Sequence, residues 1–272
     1  MPTIVLLNQK GGVGKTSTCH HLAGTFAQDG RRVLLVDTDP QASLTQGFWG
    51  PQAARTLDPA TTVAAIFAGD EPFPDQVIKP TGVSRIDLVP GSRRANSFNL
   101  PDPHLADPEV QMRLREFLDA DVRARYDLIL VDCPPNLCLC SWAALTAADG
   151  LIVPLQPEDY GAQGIIDVQE SIALVQAGAN PGLRLLGFLI MMYEARKSLH
   201  QMYDQRLRAM YGAAVFETRV PRAAEFPESI AQRTTVTTYK PRGAAAKAMR
   251  ALVDEILGRV EESAGLIKKE VA

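Results

Sequence analysis

The chain has 272 residues, of which 46% are hydrophobic and 22% charged, and its 28 basic and 31 acidic side chains leave a formal net charge of −3. That balance is typical of a globular protein with a sizeable core, and only four cysteines exclude a disulfide-stapled secreted scaffold. The longest strongly apolar stretch, 185–193, carries a glycine and falls far short of the roughly 18 to 20 residues that a membrane-spanning helix needs.

The first apolar run, 4–7, has no basic region before it and passes straight into Asn8-Gln9-Lys10. It reads as a strand rather than a signal peptide, which places the protein in the cytoplasm. Further apolar, β-branched-rich runs predict strands over 3–8, 32–37, 85–90, 127–132, 151–155, 183–192 and 214–217. Helical spacing lies between most of them, as in 16–28 closed by Gly30, in 110–118, and in 243–262 with Met249, Leu252, Val253, Ile256, Leu257 and Val260 on one stripe. Alternating strands and helices predict an α/β fold, a doubly wound and mostly parallel sheet with helices on both faces. At about 150 residues per domain the length would allow two, but α/β chains of about 250 residues often form one, so a single domain over 1–272 is expected. The Pro-, Asp- and Ala-rich stretch 50–108 reads as an elaboration with short helices and loops around one strand.

The first strand runs into Lys10-Gly11-Gly12-Val13-Gly14-Lys15-Thr16-Ser17 and then a helix. Three glycines let successive amides turn toward an anion, and the helix N-terminus adds partial positive charge, so this segment predicts a phosphate cradle. Lys15 would reach the β- and γ-phosphates, Thr16 would ligate Mg²⁺, and Ser17 would bond a phosphate oxygen. The strict motif has glycine where Gln9 stands, with a second lysine, Lys10, beside it.

Two strands end in carboxylates, at Asp37-Thr38-Asp39-Pro40-Gln41 and Asp132-Cys133-Pro134-Pro135. Carboxyl ends of strands are where an open α/β sheet binds its ligand. Asp132 fits a magnesium-holding aspartate, Asp37 a helper in the metal shell, and Asp39 a residue that positions or activates the attacking water.

The loop with its extra Lys10 resembles the deviant phosphate loops of the ParA/MinD family of ATPases. The aspartate segments, together with 144–149, 153–156, Tyr160, 192–196 and Val220-Pro221-Arg222, resemble the short, Soj-type partition ATPases within it. This resemblance implies ATP and Mg²⁺ as cofactors and an ATP-sandwich homodimer in which Lys10 reaches the partner's nucleotide. It also implies nonspecific DNA binding on the nucleoid and a ParB-like protein that stimulates slow hydrolysis. Nothing before Met1 would hold an operator-binding domain. Pro221 and Arg222 would lie near the adenine, where the family's asparagine is replaced by Ala223.

The basic charge is uneven, since 193–250 holds eleven Lys or Arg against five acids, a local +6 that leaves −9 elsewhere. Such asymmetry suits sequence-independent phosphate contact. By the resemblance, Arg196 and Arg222 match DNA-contact positions, with Arg219, Arg233, Lys240 and Arg242 as supporting candidates. Cys133, Cys138 and Cys140 match no common metal spacing, and His20, His21, Trp49 and Trp142 read as packing residues. A positioner of protein cargo, a membrane-cycling relative using the 265–270 tail, and a metal-cluster carrier of the same fold stay open as alternatives, although no stable membrane association is expected of so small and mixed a tail.

Overall fold

In the computed structural model the described residues are 2–157 and 162–270, without the side chains of 162–164, 167 and 263–270. Tyr160 and the side chains of the 265–270 tail therefore lie outside the described residues. Eight strands are present: β1 (Thr3–Leu6), β2 (Val33–Asp37), β3 (Lys79–Pro80), β4 (Ile86–Val89), β5 (Leu128–Asp132), β6 (Gly150–Leu155), β7 (Arg184–Tyr193) and β8 (Val215–Pro221). They form one sheet in the order β3-β4-β2-β5-β1-β6-β7-β8, parallel throughout except for the β3–β4 pair.

The helices are α1 (Lys15–Gln28), α2 (Ser43–Arg55), α3 (Val63–Ala68), α4 (Pro74–Val77), α5 (Pro108–Phe117), α6 (Ala120–Ala124), α7 (Leu139–Ala147), α8 (Ala162–Ala177), α9 (Ser198–Tyr211), α10 (Glu225–Ala231), α11 (Val236–Tyr239) and α12 (Ala244–Glu270). Among the described residues no helix is long and apolar enough to cross a membrane.

Apart from Thr3 and the terminal Asp37 and Asp132, strands β1, β2 and β5 are apolar throughout because both faces of the sheet are covered. Ile4, Leu6, Val33, Leu35, Leu128 and Leu130 face one core with Leu22 and Phe26 of α1 and Met249, Leu252, Val253 and Ile256 of α12. Val5, Leu7, Leu34, Val36, Ile129 and Val131 face the other, with α3, α5 and α7. Alternate side chains thus fill two cores, which is the doubly wound arrangement predicted.

Two elements differ from the prediction. Stretch 50–108 contains two strands rather than one, because β3 pairs antiparallel with β4 at the sheet edge. Two residues including a proline carry no periodic signal, and an edge is where proline is tolerated. The last helix also continues past 262 to Glu270.

The histidines and Trp142 pack as expected. His20 stacks on Phe48 with centroids 4.2 Å apart and meets the Thr234 carbonyl at 3.0 Å, while His21 Nδ1 accepts from the Val236 amide. Trp142 is buried and donates through Nε1 to Gln111. Trp49 is only partly buried.

Candidate functional site

Because the strands are parallel, the segments that follow β1, β2, β4, β5, β6, β7 and β8 converge on the carboxyl edge of the sheet. Every predicted phosphate, metal and base residue lies on one of them or is the last residue of the strand before it.

The loop after β1 is shaped by Asn8 and the glycines. Asn8 is buried, its Nδ2 donating to the Pro154 carbonyl at 2.7 Å and its Oδ1 accepting from the Lys10 amide at 2.8 Å. Gly12 and Gly14 adopt left-handed φ values of 77° and 94°, which a side chain would strain. Gly14 caps α1, so the free amides of the first helical turn face the concave side of the loop. The Lys15 ammonium lies back across the loop, donating to the carbonyls of Asn8 at 3.0 Å and Lys10 at 3.1 Å. Burial lowers its pKa, and the charge of Asp132 opposes that shift. Gln156, at the end of β6, closes the ring by donating to the Gly12 carbonyl at 2.9 Å. Lys10 itself projects from the exposed rim.

Asp37 and Asp132 are paired positions on β2 and β5, and both are fully buried. Asp37 Oδ2 accepts from the amide and the hydroxyl of Thr45, at 2.9 and 2.6 Å. Its Oδ1 and both oxygens of Asp132 have no hydrogen-bond partner of normal geometry. Burial is the largest cause raising both pKa values, Asp37 to about 7 and Asp132 well above the usual carboxylate range, with the Asp37 charge adding to the second and the Thr16 hydroxyl opposing it. Three orphaned carboxylate oxygens beside a threonine hydroxyl at a phosphate loop form the hard oxygen donor set suited to a divalent cation. The residues present fit Mg²⁺.

Asp39 stands nearby in a tight turn, with Oδ1 accepting from the Gln41 amide and its carbonyl accepting from Ala42, which is left-handed at φ 52°. It is close enough for its charge to act on Lys15.

A cleft of about 380 Å³ opens beside the loop. Its lining joins Gly14, Ser17 and Thr18 to Pro221, Arg222 and Ala223, so the predicted base residues do stand next to the phosphate loop.

The basic candidates are scattered over several elements and differ in their engagements. Arg196 and Arg242 are exposed, and among the described residues they make no ion pair or hydrogen bond. Arg222 lies 3.6 Å from Glu194, Lys240 3.2 Å from Glu225, and Arg233 donates to the Gln46 carbonyl at 3.0 Å. Arg219 is held inward, donating to Asp204 at 2.7 Å and lying over the Tyr193 ring. Arg206 and Lys247, not among the candidates, are exposed and likewise unengaged among the described residues.

Sequence reasoning missed Thr45 and Gly91. Thr45 Oγ1 accepts from the Gly91 amide at 2.8 Å while donating to Asp37, and a Cβ on Gly91 would stand 2.7 Å from the Asp37 carboxyl. Thr45 lies inside a helical pattern and Gly91 merely follows a strand, so neither carries a local signal. The thioethers of Met191 and Met192 in the cleft read as ordinary strand hydrophobes.

A model of the AAA domain family matches residues 1–185. The chromosome-partitioning ATPase Soj of Thermus thermophilus is 38% identical over 265 residues, 96% of this chain and 97% of that protein. The sporulation initiation inhibitor protein Soj of Bacillus subtilis is 34% identical over 93% of this chain and 97% of its own length. A crystal structure of cobyrinic acid a,c-diamide synthase from Mycobacterium smegmatis with bound ADP and magnesium superposes with a TM-score of 0.79 at 27% identity, covering 96% of each chain. With relatives of that identity matched nearly end to end, the chain belongs to the ParA/Soj family of chromosome-partitioning ATPases.

Proposed function

We propose that the protein is an ATP-hydrolysing switch that dimerises on ATP, binds DNA without sequence specificity, and drives chromosome or plasmid partition on the nucleoid with a ParB-like stimulating partner. The observation that carries this reading is the meeting of the glycine loop and its two lysines with the orphaned oxygens of Asp37 and Asp132 at one edge of the sheet.

The loop amides and Lys15 bind the triphosphate, and its base enters the adjoining cleft. Asp132, Asp37 and the Thr16 hydroxyl would hold Mg²⁺, which when bound neutralises charge on the phosphate oxygens. Lys15 exchanges its carbonyl partners for phosphate oxygens, a stronger charge-assisted bond. Asp39 orients the attacking water and accepts its proton. Lys10, on the exposed rim, reaches a second copy's nucleotide, so ATP bridges two protomers. The site has no second general base and no arginine finger of its own among the described residues, so unstimulated turnover is slow.

The unengaged Arg196 and Arg242 supply the DNA contact, joined by Arg222, Arg233 and Lys240. The test is binding to random-sequence duplex DNA with ATP, ADP or no nucleotide across a salt series. Binding that needs ATP and weakens steeply with salt supports the reading. Absence of binding in all three states removes the DNA step, and sedimentation with anionic liposomes then separates out a membrane-cycling role.

A further inference from the structure

The turn between α3 and α4 holds an aromatic side chain out in solvent. Phe73 is 74% exposed and stands between Pro72 and Pro74, which restrict the backbone on either side of it. Its amide donates to the Gln76 side chain at 3.0 Å, so the ring is displayed on a stiff support. A large apolar group presented in this way loses little freedom when a partner covers it.

Beside it opens a cavity of about 310 Å³, floored by Ile66, Phe117 and the two prolines and rimmed by the exposed carboxylates of Glu71, Glu109, Glu116 and Asp119. Arg113 is the only cation of the lining, and it is already engaged, donating to the Phe67 carbonyl and lying 3.6 Å from Glu109. The side chains of Glu71 and Glu116 make no ion pair or hydrogen bond among the described residues. The cavity is also remote from the nucleotide. Val63 donates to the Pro90 carbonyl at the carboxyl end of β4 and α3 runs back from there, while Asp119 caps α6 just before β5 begins. It therefore faces the amino edge of the sheet, opposite the phosphate loop, where an occupant would not obstruct nucleotide entry.

We propose that Phe73 and this cavity dock a cationic, partly apolar segment of another protein, with one Lys or Arg side chain entering between Glu71 and Glu116 while an apolar neighbour covers the Phe73 ring. An exposed apolar group rimmed by polar residues is the usual mark of such a contact. The sign of the charge sets the class of partner. Carboxylates repel nucleic acid and anionic lipid, the surfaces that the basic segment 193–250 would suit, whereas an entering ammonium or guanidinium gains acceptors that have no other partner. The proposal goes beyond the nucleotide-driven switch and does not depend on it.

The experiment is selection of a phage-displayed library of random short peptides on the full chain, counter-selected on a variant carrying Phe73→Ser and Glu116→Lys, followed by anisotropy titration of the enriched peptides. The expected result is enrichment of peptides with net positive charge and an apolar residue, which bind Phe73→Ser and Glu116→Lys each at least about tenfold more weakly than the wild type. Phe73→Ser changes no charge, so its effect separates docking from general attraction. All three positions are exposed, so thermal unfolding and ATP binding are expected to stay at wild-type values, and Glu71→Lys repeats the charge test if Glu116→Lys is unstable. Enrichment of no peptide, enrichment without an excess of Lys and Arg, or equal affinity for the variants overturns the proposal. So does sedimentation showing that the wild type self-associates and Phe73→Ser does not, since the occupant is then a second copy. Each of these failures leaves the nucleotide and DNA reading standing.

Discussion

Thr45 grips Asp37 twice through one oxygen, its amide and its hydroxyl both donating to Oδ2, which leaves Oδ1 without a hydrogen-bond partner of normal geometry. The grip orients a carboxylate that would otherwise rotate within its buried site. Thr45→Val keeps the side chain's shape and removes the hydroxyl, freeing Asp37 and depriving the Gly91 amide of its acceptor. The expected outcome is a rise of about 10- to 100-fold in the Mg²⁺ concentration needed for half-maximal ATP hydrolysis, with Thr45→Ser close to wild type. A magnesium titration of the ATPase rate checks it.

Lys15, after β1, and Asp39, after β2, stand close enough for their charges to interact but should fail differently. Lys15→Ala removes the cation that bridges the loop carbonyls and is expected to weaken ATP binding at least about 100-fold, measured with a fluorescent ATP analogue. Asp39→Ala should leave that binding intact, lower kcat by about 10²- to 10⁴-fold and hold the ATP dimer on DNA. Hydrolysis at the wild-type rate in Asp39→Ala would remove this residue from the catalytic role.

The distinction between strand ends and loops governs how much of the site is legible in the sequence. The phosphate loop, Asp37 and Asp132 are readable because each follows an apolar run whose period announces a buried strand, and the residue after such a strand in a parallel sheet can lie only at one edge. Thr45 and Gly91 are not, since their importance comes from a contact between the start of one helix and the end of a strand some 46 residues on. β3 escapes for a different reason, being two residues long and specified by its neighbour instead of its own composition. Charge counting locates a basic segment but cannot say which of its arginines are already engaged.

That engagement separates two kinds of arginine by experiment. Arg196→Ala with Arg242→Ala should leave thermal stability unchanged and reduce the slope of log affinity against log salt by about two, one for each phosphate that is no longer neutralised. Arg219→Ala should instead act on the fold. Asp204 is nearly buried and is held by both Arg208 and Arg219, so removing one partner is expected to destabilise the protein by about 1–2 kcal/mol in urea unfolding, with a smaller change in salt slope.

Acid should loosen the helix behind the loop. Burial lowers the pKa of His20 from 6.5 to about 4, opposed by its bond to the Thr234 carbonyl and assisted by the nearby Arg233 charge, and His21 is shifted down as well. Because the folded-state value lies below the unfolded one, the stability that neutral His20 contributes is complete above about pH 6.5 and is lost as pH falls toward 4. From His20 alone the loss at pH 5 is on the order of 2 kcal/mol. Urea unfolding at pH 7 and pH 5 measures it, and His20→Gln, which titrates at neither pH, should flatten that part of the difference.

The place of β1 between β5 and β6 has a consequence for how the chain is made. Its partners begin about 125 residues downstream, at Ile129 and Gly150, so the first strand to leave the ribosome can find neither neighbour until nearly half of the protein has been synthesised. Until then β2 can pair with β4 but the apolar residues of β1 have no strand to join, and pairing them requires closing a long loop, which is slow. Translation therefore passes through an interval in which the future phosphate loop hangs from an unpaired apolar strand, the kind of surface through which incomplete chains aggregate.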